Sequence, residues 1–194
     1  MTVSTEPLAL LSRALEQVTT VIARVRPEQA RLPTPCRSWD LRTLVNHVVN
    51  DAQKFVVIAR GGAWEARQDD VLGDDWLDSF RHPAAELVAA WNREGALNRT
   101  VQFGSAELPI SWQVKQQMVE FTIHSWDIAA ATGQSTTDLD PELARQALDF
   151  GTENLKPQFR GSEEDGQSFA PVVAVPDDAP VYDRLAGFFG RTPG

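Results

Sequence analysis

Apolar residues recur at three- and four-residue intervals along four long stretches of the chain, the period of an amphipathic helix. In the first, Leu8, Leu11, Leu15, Val18 and Ile22 form one stripe and predict a helix from about Pro7 to Val25, stopped by Pro27. The proline-punctuated stretch Arg31-Leu-Pro-Thr-Pro-Cys36 reads as loop. Asp40 is a suitable N-cap for a second helix that carries Leu41, Leu44, Val45, Val48 and Phe55 to a Gly61-Gly62 stop. A polar, Asp-rich loop is expected from Ala63 to about Asp75. The third helix should occupy roughly Trp76 to Glu94, with Pro83 predicting a break or restart inside it. Thr100-Val-Gln-Phe103 and Glu107-Leu-Pro-Ile110 flank a Gly-Ser turn and suggest a short hairpin. Ser111 is expected to cap the fourth helix, Trp112 to Ala131, which ends at Gly133. Pro141 opens a further helix to about Leu155. Beyond Lys156 the pattern is irregular until a short amphipathic segment from Tyr182 to Phe189.

Helices near 20 residues long with only one brief strand signal define an all-α bundle. One domain is expected over 1–194, with the bundle at about 5–155 and an irregular extension at about 156–194. Apolar residues make up 42% of the 194, enough for a core without disulfides. Eighteen basic residues against 27 acidic ones give a net charge of −9, which argues against a nucleic-acid or anionic-membrane partner. Cys36 is the only cysteine, so an intrachain disulfide is excluded. The first residues lack a basic segment followed by an apolar run, and no stretch of 18 uncharged apolar residues occurs, so a cytoplasmic location is expected.

The chain has three histidines, and two of them fall inside the most apolar helices. His47 shares a helical face with Leu44, Val48, Asp51 and Phe55, which turns it toward the bundle interior or its rim. Glu120 and His124 stand four residues apart and lie one above the other on a single helix face. Two imidazoles and a carboxylate that leave a coordination position open are the donor set of a catalytic zinc site or of a ferrous-iron facial triad. On spacing alone the same residues also fit an ordinary ion pair and a packed histidine. Asp127 is a candidate partner for the other ring nitrogen of a ligating histidine. His82, beside Pro83, reads as a surface residue; Cys36 reads as a packed small hydrophobe if buried, or as an extra ligand or modifiable thiol if exposed near the cluster, with packing favoured. Trp39, Trp112 and Trp126 are explained by core packing. Glycine-rich phosphate loops, HExxH, paired CxxC and the Gly-x-Ser-x-Gly elbow are absent, which removes the commonest dinucleotide, nucleotide and serine-hydrolase chemistries.

Three segments carry a family likeness. Thr34-Pro-Cys-Arg-Ser-Trp-Asp-Leu-Arg-Thr-Leu-Val-Asn-His47 resembles the opening motif of the mycothiol-dependent maleylpyruvate isomerase N-terminal domain family. Glu120-Phe-Thr-Ile-His-Ser-Trp-Asp-Ile-Ala129, followed by Ala131-Thr-Gly133, is similar to its second signature. The tail Asp183-Arg-Leu-Ala-Gly-Phe-Phe-Gly-Arg191-Thr-Pro resembles the ending of an uncharacterised short branch of these proteins. The resemblance implies a DinB-like four-helix bundle, up-down-down-up, with a divalent metal held by His47, Glu120 and His124. Zinc is the metal it favours, while nickel or iron would suit the same ligands. It implies mycothiol or a similar low-molecular-weight thiol as cosubstrate, an electrophilic small molecule as substrate, and isomerase or S-transferase chemistry. Pairing is common among relatives built on this bundle, so a homodimer is the expectation. The alternative is a non-catalytic bundle that binds a metal or small ligand through the same residues.

Overall fold

Asp40 opens the helix that carries the first candidate ligand: its side chain accepts a hydrogen bond from the Thr43 N–H at 2.9 Å, and helix α2 then runs Leu41–Ala59. The computed structural model describes residues 6–64, 69–103, 106–161 and 169–193. Upstream, α1 spans Glu6–Ile22 and buries Leu10, Leu11, Ala14, Leu15, Val18, Val21 and Ile22. It stops one turn short of the expected Val25, and a short 3-10 turn at Pro27–Gln29 takes over. Gln29 ties that turn to the end of a later helix by donating to the Thr132 carbonyl at 3.2 Å. The loop before α2 is pinned by backbone bonds from Leu41 N to Leu32 O and from Arg42 N to Ala30 O, both 2.9 Å.

Helix α3 runs unbroken over Trp76–Trp91 with Pro83 inside it, which corrects the expected break. Pro83 is buried on the same face as Phe80, Ala84 and Leu87, and packing of that face compensates the one hydrogen bond a proline removes. The hairpin forms as β1, Thr100–Phe103, paired antiparallel with β2, Ala106–Pro109; its Gly-Ser turn lies outside the described residues. Ser111 does not cap the next helix, because β2 leads directly into α4, Ile110–Thr132, with Pro109 at the cap position. The Ile110 N–H donates to the Arg99 carbonyl at 3.0 Å, so the hairpin itself satisfies one of the helix's first donors. At the other end Gly133 takes φ +70°, the left-handed turn that only glycine adopts at no cost.

Helix α4 is the axis of the molecule. Residues Phe121 through Ala129 are all buried, so it is covered on every side rather than on one stripe. It packs chiefly on α1, with α2 on another flank, and α2 in turn packs on α3. Phe121 makes edge contacts with Phe55 of α2 at 5.8 Å and Phe80 of α3 at 6.0 Å, joining three helices in one aromatic knot. This is the expected all-helical bundle.

Beyond it, α5 covers Pro141–Asn154 and α6 covers Val181–Phe188. The extension is stitched to the bundle. Gln17 of α1 donates to the buried Tyr182 hydroxyl at 2.9 Å, and Val173 N donates to Gly187 O at 2.9 Å. A Cβ at Gly187 would sit 2.7 Å from the Val173 carbonyl, so glycine is what lets that segment approach α6. Among the described residues no helix is long and apolar enough to cross a membrane.

Candidate metal centre

One imidazole from α2 and two side chains from α4 meet at a single point. His47, Glu120 and His124 each present one donor atom, and the three atoms lie within 4.8 Å of one another. The His47 and His124 rings stand edge to face with centroids 5.0 Å apart. Glu120 Oε2 is 3.7 Å from His124 Nε2, as expected for residues one turn apart on a helix. His124 is only 8% exposed, whereas His47 is 31% and Glu120 23% exposed, so the cluster opens to solvent on the side of those two.

Each donor is held by a neighbour. Asp127, fully buried one turn below, accepts from His124 Nδ1 at 3.0 Å, which leaves Nε2 aimed at Glu120. Gln116 donates to Glu120 Oε1 at 3.2 Å and leaves Oε2 facing the histidines. Trp39 lies against His47 with ring centroids 4.6 Å apart. Thr34 fixes that tryptophan's loop by donating to the Trp39 carbonyl at 2.8 Å and accepting from the Cys36 N–H at 3.2 Å. On the rim Asp51 bridges His47 Nε2, at 3.5 Å, to Lys54 Nζ, at 2.9 Å.

The electrostatics differ from donor to donor. Burial, aided by the neighbouring His124, pushes the His47 imidazole down to about 4, so it is neutral and able to ligate at ordinary pH. Burial raises the Glu120 carboxyl above its usual range, the mark of a carboxylate without enough positive charge beside it. For His124 burial works against a charge, but bonding to Asp127 and Cys36 outweighs it and pushes the imidazole up to about 10. Burial likewise opposes a charge on Asp127, yet Arg191 and His124 together hold its carboxyl well below the usual carboxylate range.

Two partners join the cluster from outside the triad. Cys36, for which packing is the favoured sequence reading over a role as an extra ligand, brings its thiol 3.4 Å from Asp127 Oδ2. Arg191, from the tail, donates through Nε to Asp127 Oδ1 at 3.1 Å and through Nη2 to Oδ2 at 2.8 Å. No local periodicity points to either, because both contacts cross long stretches of chain. His82 stands apart from the cluster: its side chain is 80% exposed and lies 3.1 Å from Glu86. Trp112 is also remote, donating to Asn154 at 2.8 Å.

Two imidazoles and a carboxylate thus converge from two helices of an all-helical bundle, a donor set that could hold a metal ion. The family described as Mycothiol maleylpyruvate isomerase N-terminal domain matches residues 11–129, and the chain belongs to that family. Two uncharacterised proteins of Mycobacterium tuberculosis, MT0763 of strain CDC 1551 / Oshkosh and Rv0738 of strain ATCC 25618 / H37Rv, are each 33% identical over 189 residues. Those matches cover 96% of this chain and 98% of the relatives. A crystal structure of the mycothiol-dependent maleylpyruvate isomerase superposes with a TM-score of 0.64 at 17% identity, over 93% of this chain and 86% of that one. A mutant of the mycothiol-dependent maleylpyruvate isomerase gives 0.56 at 18% identity, over 73% and 66%. At these identities the structures establish the fold.

Proposed function

We propose that the chain holds one divalent ion, zinc by preference, between His47, Glu120 and His124, and that it acts on an electrophilic small molecule with the help of mycothiol or a similar thiol. The observation that carries this reading is the convergence of His47 from α2 on the Glu120–His124 pair of α4, all three donor atoms within 4.8 Å. When bound, such an ion lowers the pKa of a coordinated thiol so that thiolate is available at neutral pH. The chain's own residues supply the rest. Asp127 keeps the proton on His124 Nδ1 and so fixes the tautomer that offers Nε2. Gln116 restrains Glu120 to one free oxygen. Trp39 packs against one face of the His47 ring, and the partly exposed edges of His47 and Glu120 leave a path for a small thiol. Family membership and the isomerase-like fold favour isomerisation or S-transfer over unrelated chemistry.

Elemental analysis of the purified full chain, followed by turnover assays with a panel of thiols and unsaturated acids, tests the reading. A stoichiometric metal and thiol-dependent consumption of an electrophile are expected. Protein that takes up no metal after reconstitution overturns the site; metal-loaded protein that neither binds a thiol nor consumes an electrophile overturns the enzyme.

Metal affinity should also climb with pH. His47, held down at about 4, needs no deprotonation above that value, whereas His124, held up at about 10, carries a proton that must leave before Nε2 can ligate. Apparent affinity should therefore rise about tenfold per pH unit through neutrality. Chelator competition between pH 6 and 8 checks this; an affinity that is flat across that window contradicts it.

A further inference from the structure

His124 faces two donor clusters, one on each ring nitrogen. Beside Nε2 are His47 and Glu120; around the other side, Cys36 and Asp127 join His124 in a second triad, also with donor atoms within 4.8 Å. We infer that the Arg191 guanidinium serves as the permanent cation of this second cluster and thereby confines a metal ion to the His47–Glu120–His124 side. The inference rests on the ion site proposed above.

The placement is specific. Arg191 spans both Asp127 oxygens with two nitrogens, at 3.1 and 2.8 Å, while Nη2 also reaches Cys36 Sγ at 3.4 Å. Its remaining nitrogen Nη1 donates to the Phe189 carbonyl at 2.9 Å. The side chain is 11% exposed, so water does little to screen its charge. Delivery depends on the extension. Gly190 turns with φ +80°, where an added Cβ would lie 3.0 Å from the Pro171 carbonyl, and Arg191 N donates to Ala186 O at 2.8 Å. That turn aims the guanidinium back under α4.

The chemistry makes the two cations exclusive. A zinc ion binds thiolate sulfur at about 2.3 Å, so an ion held by Cys36 and Asp127 would lie against the guanidinium with no solvent between them. Because arginine stays protonated at every working pH, the exclusion is constant. Without it the thiol side would compete for the metal, since thiolate is a strongly preferred zinc ligand. With both oxygens of Asp127 engaged by the fork, that carboxylate accepts the Nδ1 proton of His124 instead of ligating.

Cobalt(II) loading of the full chain tests this, because thiolate ligation to cobalt produces an intense near-ultraviolet charge-transfer band that imidazole and carboxylate do not. Wild-type protein should bind cobalt without the band. Arg191→Gln, neutral but able to donate to Asp127, should show it, and adding Cys36→Ser should abolish it. Arg191→Lys, which restores a cation, should again lack it. A saturated Arg191→Gln protein with no band, an equally strong band in Arg191→Lys, or a band in the wild type overturns the inference. If Arg191→Gln fails to fold, Arg191→Met is read by the same criterion. A wild-type chain that binds neither cobalt nor zinc overturns the proposed function and this inference with it; normal wild-type binding beside a silent Arg191→Gln overturns this inference alone.

Discussion

Replacing His124 with alanine should lower zinc affinity about a hundredfold, and His47→Ala should do nearly the same. Closed zinc sites with four ligands gain about 10–16 kcal/mol on binding, so each ligand is worth roughly 2.5–4 kcal/mol, a factor on the order of a hundred. His124 carries the greater share of the geometry, since it lies between Glu120 and Asp127 and is nearly sealed from solvent. His82→Ala is the internal control: its exposed side chain pairs with Glu86, away from the cluster, and its loss should leave affinity unchanged. Calorimetric titration of the three variants decides the matter. Equal losses from all three would mean that the triad is not the binding site.

Asp127→Asn should destabilise the metal-free fold by about 3–5 kcal/mol, the cost of leaving a buried charge without its partner. Asp127 is fully buried and answers two cations at once, the guanidinium of Arg191 and the imidazolium of His124. Asparagine keeps the volume and loses the charge, so the Arg191 guanidinium is stranded in the interior, while His124 can shed its proton. The pH dependence has a definite sign. A carboxyl held below its ordinary value contributes stability that is fully present above the unfolded pKa of about 3.9 and is lost as pH falls below it. The gap between wild type and variant in urea unfolding should accordingly be wide at pH 7 and shrink at pH 3. A gap of the same size at both values would show that charge is not the cause.

Much of this arrangement is legible from residue spacing. Helical periodicity in α1, α2 and α3 marks the bundle, and the four-residue step from Glu120 to His124 places both on one helix face. His47 is turned inward by its apolar neighbours Leu44, Val48 and Phe55. Other features depend on contacts that no window of sequence contains. Pro83 looks like a helix breaker until its ring is seen buried beside Phe80 and Leu87. Ser111 has the chemistry of a cap, but the incoming β-ladder makes a cap unnecessary. Cys36 and Arg191 are 155 residues apart, yet sulfur and guanidinium meet at 3.4 Å under α4. Only the docking of the extension on the bundle produces that meeting.

The bundle's pairing pattern has a consequence for how firmly it is closed. Helix α4 leans mainly on α1 and α2 mainly on α3, and the three donor atoms straddle the seam between those two couples. An ion seated there acts as a rivet across the weaker joint, and each tenfold rise in free metal above the dissociation constant then adds about 1.4 kcal/mol against unfolding. Under the proposed ion site, the melting temperature would rise with the concentration of free metal.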